Sequence, residues 1–315
     1  MYEIIKKETL VPNIIFMRFK APKIASCARP GQFVIIRTDE RGERIPMGLA
    51  GWDAKEGTVD IVFYVLGTST AKLSAMKEGE SVSNIAGPLG TPTEIENFGR
   101  VICACGCFGA GPTLPLIKAL KEKGNYVITV VESRGPDFVF WKDKLKEFSD
   151  EVHVVTGCGK TAWANDFIEQ ELESGKKIDR IFAHGCPFMM KVSSDASRKS
   201  GVETMVSLTP LMVDGTGMCG ACRVEVDGKT KFACVDGPDF GGHTVNWDGL
   251  VLRLRQLIPE EDRSFNLWER ENWHKLMDSK TKKSFNPAKR RLAAEQMEHH
   301  EGHAHGHGVC DLAGA

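Results

Sequence analysis

At Arg100 the rhythm of the sequence changes, and this change limits the fold more than any other feature. Before it, short β-branched runs at 14–19, 32–37, 58–65 and 81–86 are punctuated by Pro30-Gly31, Gly57, Gly67 and Gly87-Pro88-Leu89-Gly90. Strands at such short intervals predict an antiparallel barrel or sandwich. After it, strand-like runs at 101–105, 126–131, 152–155, 180–184 and 203–207 alternate with helical patterns at 114–123, 141–148, 162–173 and 189–200. That alternation predicts a parallel sheet with helices on both faces. A chain of 315 residues has room for both cores.

The expected organisation is therefore a β-barrel over 1–98 and an α/β domain over 99–208. A small Gly- and Cys-rich segment follows over 209–246, then a charged helical tail over 247–315. The third segment is too poor in apolar residues to hold itself together by burial. The tail ends in a His-rich tract, 299–310, whose imidazoles can bind divalent metal weakly even when no fold positions them. A solvated tail with incidental chelation is the plainer reading.

Charge excludes some functions. Forty-one basic against 42 acidic residues leave a net charge of -1, so no overall field draws the chain to nucleic acid. Apolar runs fall short of the ~20 residues that cross a bilayer, and Met1-Tyr-Glu-Ile-Ile-Lys-Lys7 does not read as the apolar region of a signal peptide. A soluble cytoplasmic protein without membrane insertion is expected. Ten cysteines in such a chain read as thiols or metal ligands, because disulfide frameworks belong to small exported domains.

The sharpest chemical signal is Asp214-Gly-Thr-Gly-Met-Cys219-Gly-Ala-Cys222 with Cys234 beyond it. An iron-sulfur cluster needs four anionic donors; a C-x2-C turn supplies two, and its glycines let backbone N-H groups approach the sulfurs. Plant-type 2Fe-2S loops place another cysteine five residues before the turn, and here that place holds Asp214. A carboxylate can ligate ferric iron, so the candidate ligands are Asp214, Cys219, Cys222 and Cys234. A structural zinc knuckle is the competing reading.

Two weaker signals precede it. Arg44-Ile-Pro46-Met47-Gly48-Leu49 lies where the inner edge of the barrel is expected, and Gly67-Thr68-Ser69-Thr70 opens a helix whose free N-H groups can hold a pyrophosphate. Alone, the second is an ordinary helix cap. Gly106, Gly109 and Pro112 follow a buried strand and lead into a helix, where a dinucleotide's phosphates can meet the helix N-terminus. Arg134 ends the next strand within reach of a ribose or 2′-phosphate. Gly185 and Met189, after the 180–184 strand, complete the candidate cofactor contacts, and no side chain is assigned a catalytic role. Cys103, Cys105 and Cys107 alternate and would share one face of a strand, as small buried groups or as redox thiols.

Together these motifs resemble the ferredoxin reductase superfamily. Over residues 1–250 the chain looks like the small, flavin-bearing subunit of NADH-dependent ferredoxin:NADP oxidoreductase, a relative of the electron-transfer subunit of dihydroorotate dehydrogenase. Residues 206–223 and 231–238 carry the resemblance, with Arg44-Ile-Pro46 and Gly87-Pro-Leu-Gly90. It implies FAD in the barrel cleft, NAD(P)(H) over it and a 2Fe-2S cluster whose first ligand is an aspartate, matching Asp214. It also implies a larger partner subunit with a second FAD and 4Fe-4S clusters, with ferredoxin or NAD(P)H as carriers and electron bifurcation in the complex.

Three departures stand out. Gly48 replaces the family's Thr or Ser, Cys105 and Cys107 replace two glycines of the nucleotide loop, and Thr156-Gly-Cys-Gly-Lys160 replaces an acidic segment. The leading expectation is an NAD(P)H-linked flavin and iron-sulfur oxidoreductase subunit. The alternatives are a wiring and assembly subunit that holds FAD and cluster without free nucleotide, and a dihydroorotate-type electron-transfer subunit, which Asp214 disfavours.

Overall fold

The computed structural model describes residues 2–157 and 162–272. The His-rich tract with Cys310, and Cys158 with most of its glycine-rich turn, lie outside the described residues.

Seven antiparallel strands form a nearly closed barrel in the order β6-β1-β2-β5-β4-β3-β7. They are β1 (Tyr2–Val11), β2 (Ile14–Lys20), β3 (Phe33–Arg37), β4 (Arg44–Asp53), β5 (Thr58–Tyr64), β6 (Ser81–Val82) and β7 (Asn84–Leu89), with short helices α1 (Pro22–Ala25) and α2 (Thr68–Ala75) between them. Side chains alternate as the pleat requires. Ile15, Met17, Phe19, Val34, Ile36, Met47, Leu49, Val59, Ile61 and Phe63 fill the interior, while Ile14, Phe16, Ala50 and Val62 face outward into a second core shared with the α/β domain. Asn13 takes the left-handed conformation in the β1–β2 turn, which asparagine tolerates better than most residues. β1 is a long strand that the sequence reading passes over, because its Lys and Glu residues mask the alternation.

The second sheet runs β10-β9-β8-β11-β12-β15. Its parallel strands are β8 (Arg100–Gly106), β9 (Tyr126–Glu132), β10 (Glu151–Val155), β11 (Arg180–His184) and β12 (Thr204–Ser207), connected through α3 (Ala110–Glu122), α4 (Lys142–Glu147), α5 (Ala164–Glu173) and α6 (Pro187–Arg198). Helices α3 and α4 pack on the face turned to the barrel, α5 and α6 on the other. The parallel sheet gains one antiparallel strand from beyond the α/β domain. The segment after β12 forms a hairpin of β13 (Arg223–Val226) and β14 (Lys229–Phe232), then donates β15 (Asp239–Gly241) antiparallel to β12. Three residues between Pro238 and Gly242 carry no periodicity, so only pairing reveals this strand.

The tail is partly a structural element. Helix α7 (Trp247–Leu254) buries Trp247 and Leu250 against the α6 side of the sheet. Helix α8 (Ile258–Asn272) then returns to the barrel, where Phe265 is 1% exposed within the barrel core. Burial of such a ring is worth roughly 1.5–3 kcal/mol. Among the described residues, no helix is long and apolar enough to cross a membrane.

Candidate cofactor sites

The Asp214–Cys222 loop leaves β12 and turns on Gly215, Gly217 and Gly220, all at positive φ. Its glycines also permit close packing: a Cβ on Gly215 would lie 2.6 Å from Ile35 Cδ1 and 2.8 Å from Leu89 Cδ1 on the barrel. The four candidate donors stand as two separate pairs, and among the described residues no three of them come together as a single metal site. Cys222 and Cys234, both buried, have their sulfurs 3.1 Å apart. Asp214 accepts from Cys219 N-H at 2.9 Å, with Thr216 and Met218 N-H groups also on its carboxylate. These amides, Thr216 first, hold the Asp214 carboxyl below its usual range, so it is an anionic donor at neutral pH. Burial, then contact with Cys222, pushes the Cys234 thiol up, so its proton has to leave before the sulfur can bind metal. Ala221 N-H points at Cys219 Sγ at 3.5 Å. Three thiols and a carboxylate in two pairs, with amides aimed at sulfur, fit a cluster of two irons, which needs two protein donors at each.

The barrel strand β4 adjoins this loop. Arg44 donates from Nε to the Val213 carbonyl at 2.7 Å and from Nη2 to the Asp214 carbonyl at 3.2 Å. Along β4, Met47 and Leu49 point into the barrel core, whereas Pro46 and Gly48 face outward with Arg44. Gly48 meets the α/β domain directly: a Cβ there would lie 3.0 Å from Pro112 Cβ. The missing hydroxyl at position 48 thus has a packing reason. At the start of α2, Thr70 Oγ1 accepts from Leu66 and Gly67 N-H groups, closing the turn, and Thr68 Oγ1 lies 2.9 Å from Ser264 Oγ on α8. The structure therefore leaves the Gly67 turn at a helix N-terminus, as expected from sequence, with α8 beside it.

Gly106 ends β8, Gly109 lies in the turn that follows, and Pro112 stands in the first turn of α3. A Cβ at Gly109 would run into the His184 carbonyl, and one at Gly111 would lie 2.6 Å from Val62 Cβ, so these glycines allow close packing against β11 and the barrel. Cys103 and Cys105 share a buried face, and burial pushes the Cys105 thiol up to about 12. Cys105 therefore lies in the core rather than in the phosphate approach. Cys107 does not share that face: it leaves the strand at φ 51°. Burial, then the neighbouring Cys186 thiol, raises Cys107 to about 11 against the pull of Arg134. Tyr64, at the end of β5, also feels Cys107 and Arg134.

Arg134 is exposed at the end of β9, and Glu132 beside it caps α5 by accepting from Ala164 N-H at 2.9 Å. Burial raises the Glu132 carboxyl. Gly185 is buried, and Met189, 1% exposed, lays its sulfur against both Gly106 and Gly185. The sequence reading missed Tyr64, whose place beside Cys107 and Arg134 depends on three different strand ends.

Comparison with known proteins adds family membership to this geometry. A protein of Thermotoga maritima described as a dihydroorotate dehydrogenase B (NAD(+)) electron transfer subunit homolog is 43% identical over 265 residues, covering 84% of this chain and 94% of that protein. This chain belongs to the family of dihydroorotate dehydrogenase B electron-transfer subunits and their homologues. The model of the iron-sulfur cluster binding domain of dihydroorotate dehydrogenase B matches residues 209–246. An uncharacterized protein of Clostridium beijerinckii is 38% identical and covers 100% of this chain and 99% of its own length. The solved structure of an NADH-dependent reduced ferredoxin-NADP oxidoreductase superposes with a TM-score of 0.81 at 42% identity, covering 85% of this chain and 98% of that one.

Proposed function

We propose that this protein is the electron-transfer flavoprotein subunit of a multi-subunit oxidoreductase. It passes electrons between NAD(P)H, FAD and a 2Fe-2S cluster. The observation that carries the reading is the Arg44 bridge, which fastens the outward face of β4 to the backbone of the Asp214 loop. FAD, when bound, exchanges a hydride with a nicotinamide and single electrons with a cluster, and the protein's part is to hold the centres in place.

In this reading Asp214 and Cys219 hold one iron, and Cys222 and Cys234 the other. Arg44, Pro46 and Gly48 line the flavin cleft by side chain or surface, Met47 and Leu49 through their backbone, and Thr68, Ser69 and Thr70, after the Gly67 turn, offer helix N-H groups to the pyrophosphate. Gly106, Gly109, Pro112, Arg134, Gly185 and Met189 shape the nucleotide side. The barrel domain, 1–98, carries the flavin, 99–208 the nucleotide, and 209–246 the cluster. Exposed Leu211, Val213, Met218 and Val235 surround the cluster loop. Such an apolar rim suits docking of a larger flavin and 4Fe-4S subunit.

Anaerobic titration of the purified protein tests the reading. Iron and sulfide in equal amounts, bound FAD, and bleaching of the flavin by NADH are expected. Bleaching by dithionite but not by NADH would favour the wiring subunit instead, a reading favoured by the Cys107 side chain at the turn of the nucleotide loop.

A further inference from the structure

Cys107 and Cys186 stand just past the C-terminal ends of neighbouring parallel strands. β8 and β11 pair in register through Cys105 and His184, and two residues further come the two cysteines. The chains remain close there: a Cβ built on Gly185 would lie 3.3 Å from the Gly106 nitrogen. Neighbouring strands lie about 4.8 Å apart, within the roughly 4.4–6.8 Å Cα separation that a disulfide accepts. Cys186 is exposed and Cys107 partly so, unlike the buried Cys103 and Cys105. Met189 N-H donates to Cys186 Sγ at 3.5 Å, at the N-terminus of α6, and so works against the burial that pushes this thiol up. Cys107 holds a left-handed conformation uncommon outside glycine, which marks a turn held by its surroundings.

We propose that Cys107 and Cys186 form a thiol–disulfide exchange site for low-molecular-weight disulfides, and that closing it pins the turn between β8 and α3. The exposed Cys186 thiolate attacks one sulfur of the incoming disulfide. That bond breaks, the first thiol leaves with the proton Cys186 gave up, and Cys186 carries a mixed disulfide. Cys107 then attacks the Cys186 sulfur, a protein disulfide forms, and the second thiol leaves with the Cys107 proton. The two cysteines are oxidised, and one disulfide is reduced to two thiols. The effect of the pinned turn on NADH rests on the nucleotide reading above; the exchange chemistry does not.

The test is anaerobic incubation of the holoprotein with glutathione disulfide, acid quench and non-reducing peptide mapping. The expected result is a peptide linking Cys107 to Cys186 that dithiothreitol removes. Cys107→Ser should stop at a glutathione adduct on Cys186, and Cys186→Ser should yield no linked peptide. Separate adducts on both cysteines, or neither cysteine modified, would overturn the exchange site in the wild type without any variant. In a second arm, flavin bleaching by NADH should slow about tenfold or more in the oxidised wild type and respond little to oxidant in Cys186→Ser. A linked peptide with unchanged bleaching would refute the pinning. A dithiol form that NADH never bleaches would instead refute the nucleotide reading, while the peptide map still decides the exchange.

Discussion

The guanidinium of Arg44 reaches the backbone carbonyl of Asp214, 170 positions away in sequence, and so ties the barrel strand β4 to the Cys-rich loop. A planar fork can serve the Val213 and Asp214 carbonyls together, and an ammonium cannot match that geometry. Arg44→Lys is expected to keep flavin and iron but slow electron passage from flavin to cluster in stopped-flow absorbance. Hydrogen bonds from charged donors contribute about 1.5–3 kcal/mol each, so a measurable loss of thermal stability should accompany it. An unchanged rate would remove Arg44 from the path between centres.

Asp214 is predicted to donate to iron. A thiolate gives ferric iron more charge than a carboxylate does, so Asp214→Cys should retain the cluster and lower its reduction potential. Asp214→Ala should lose iron. Full iron content and an unchanged reduced-state EPR spectrum in Asp214→Ala would show that the ligand lies elsewhere.

Gly48 and Pro112 form a contact without spare room. Gly48→Thr should destabilise the protein by roughly 1–3 kcal/mol, as overpacking does. Pro112→Gly in the same chain should recover part of that loss, because the two changes share one space. Additive losses in thermal unfolding would mean that the two sites do not press on each other.

Burial raises the Glu132 carboxyl, and the sign of its pH effect follows. A group whose folded pKa lies above its unfolded value adds stability that is present below the unfolded pKa and lost as pH rises through the folded pKa. Glu132→Gln keeps an acceptor for Ala164 N-H and removes the buried charge. The variant should gain on the wild type in melting temperature as pH rises from acid to neutral. A variant that instead loses ground to the wild type over that range would contradict the assignment.

Helix α8 is predicted to stay on the barrel through Phe265. Phe265→Ala should cost about 3–5 kcal/mol of that attachment and expose the 255–257 connection to limited proteolysis. A chain ended after Asn272 should retain flavin, whereas one ended after Leu257 uncovers Thr68 and its helix. Equal flavin content in the two truncations would show that α8 is a cover without influence on the cleft.

The sequence by itself determined the two architectures and the kind of chemistry, because both are written in short range. Strand and helix periodicities are local steric patterns, and the Asp214, Cys219 and Cys222 spacing lies within one turn-rich loop that glycine permits. The types of donor were legible there, though their arrangement into two pairs was not. Tertiary structure alone decided what lies between distant segments: Arg44 on the Asp214 loop, Pro112 against Gly48, α8 beside Thr68, and β15 joining β12 in reverse. It also separated the three alternating cysteines, keeping Cys103 and Cys105 in the core and turning Cys107 out beside Cys186. No local pattern encodes such encounters, because they arise when separate apolar faces are buried together and the chain ends of different strands meet at one sheet edge.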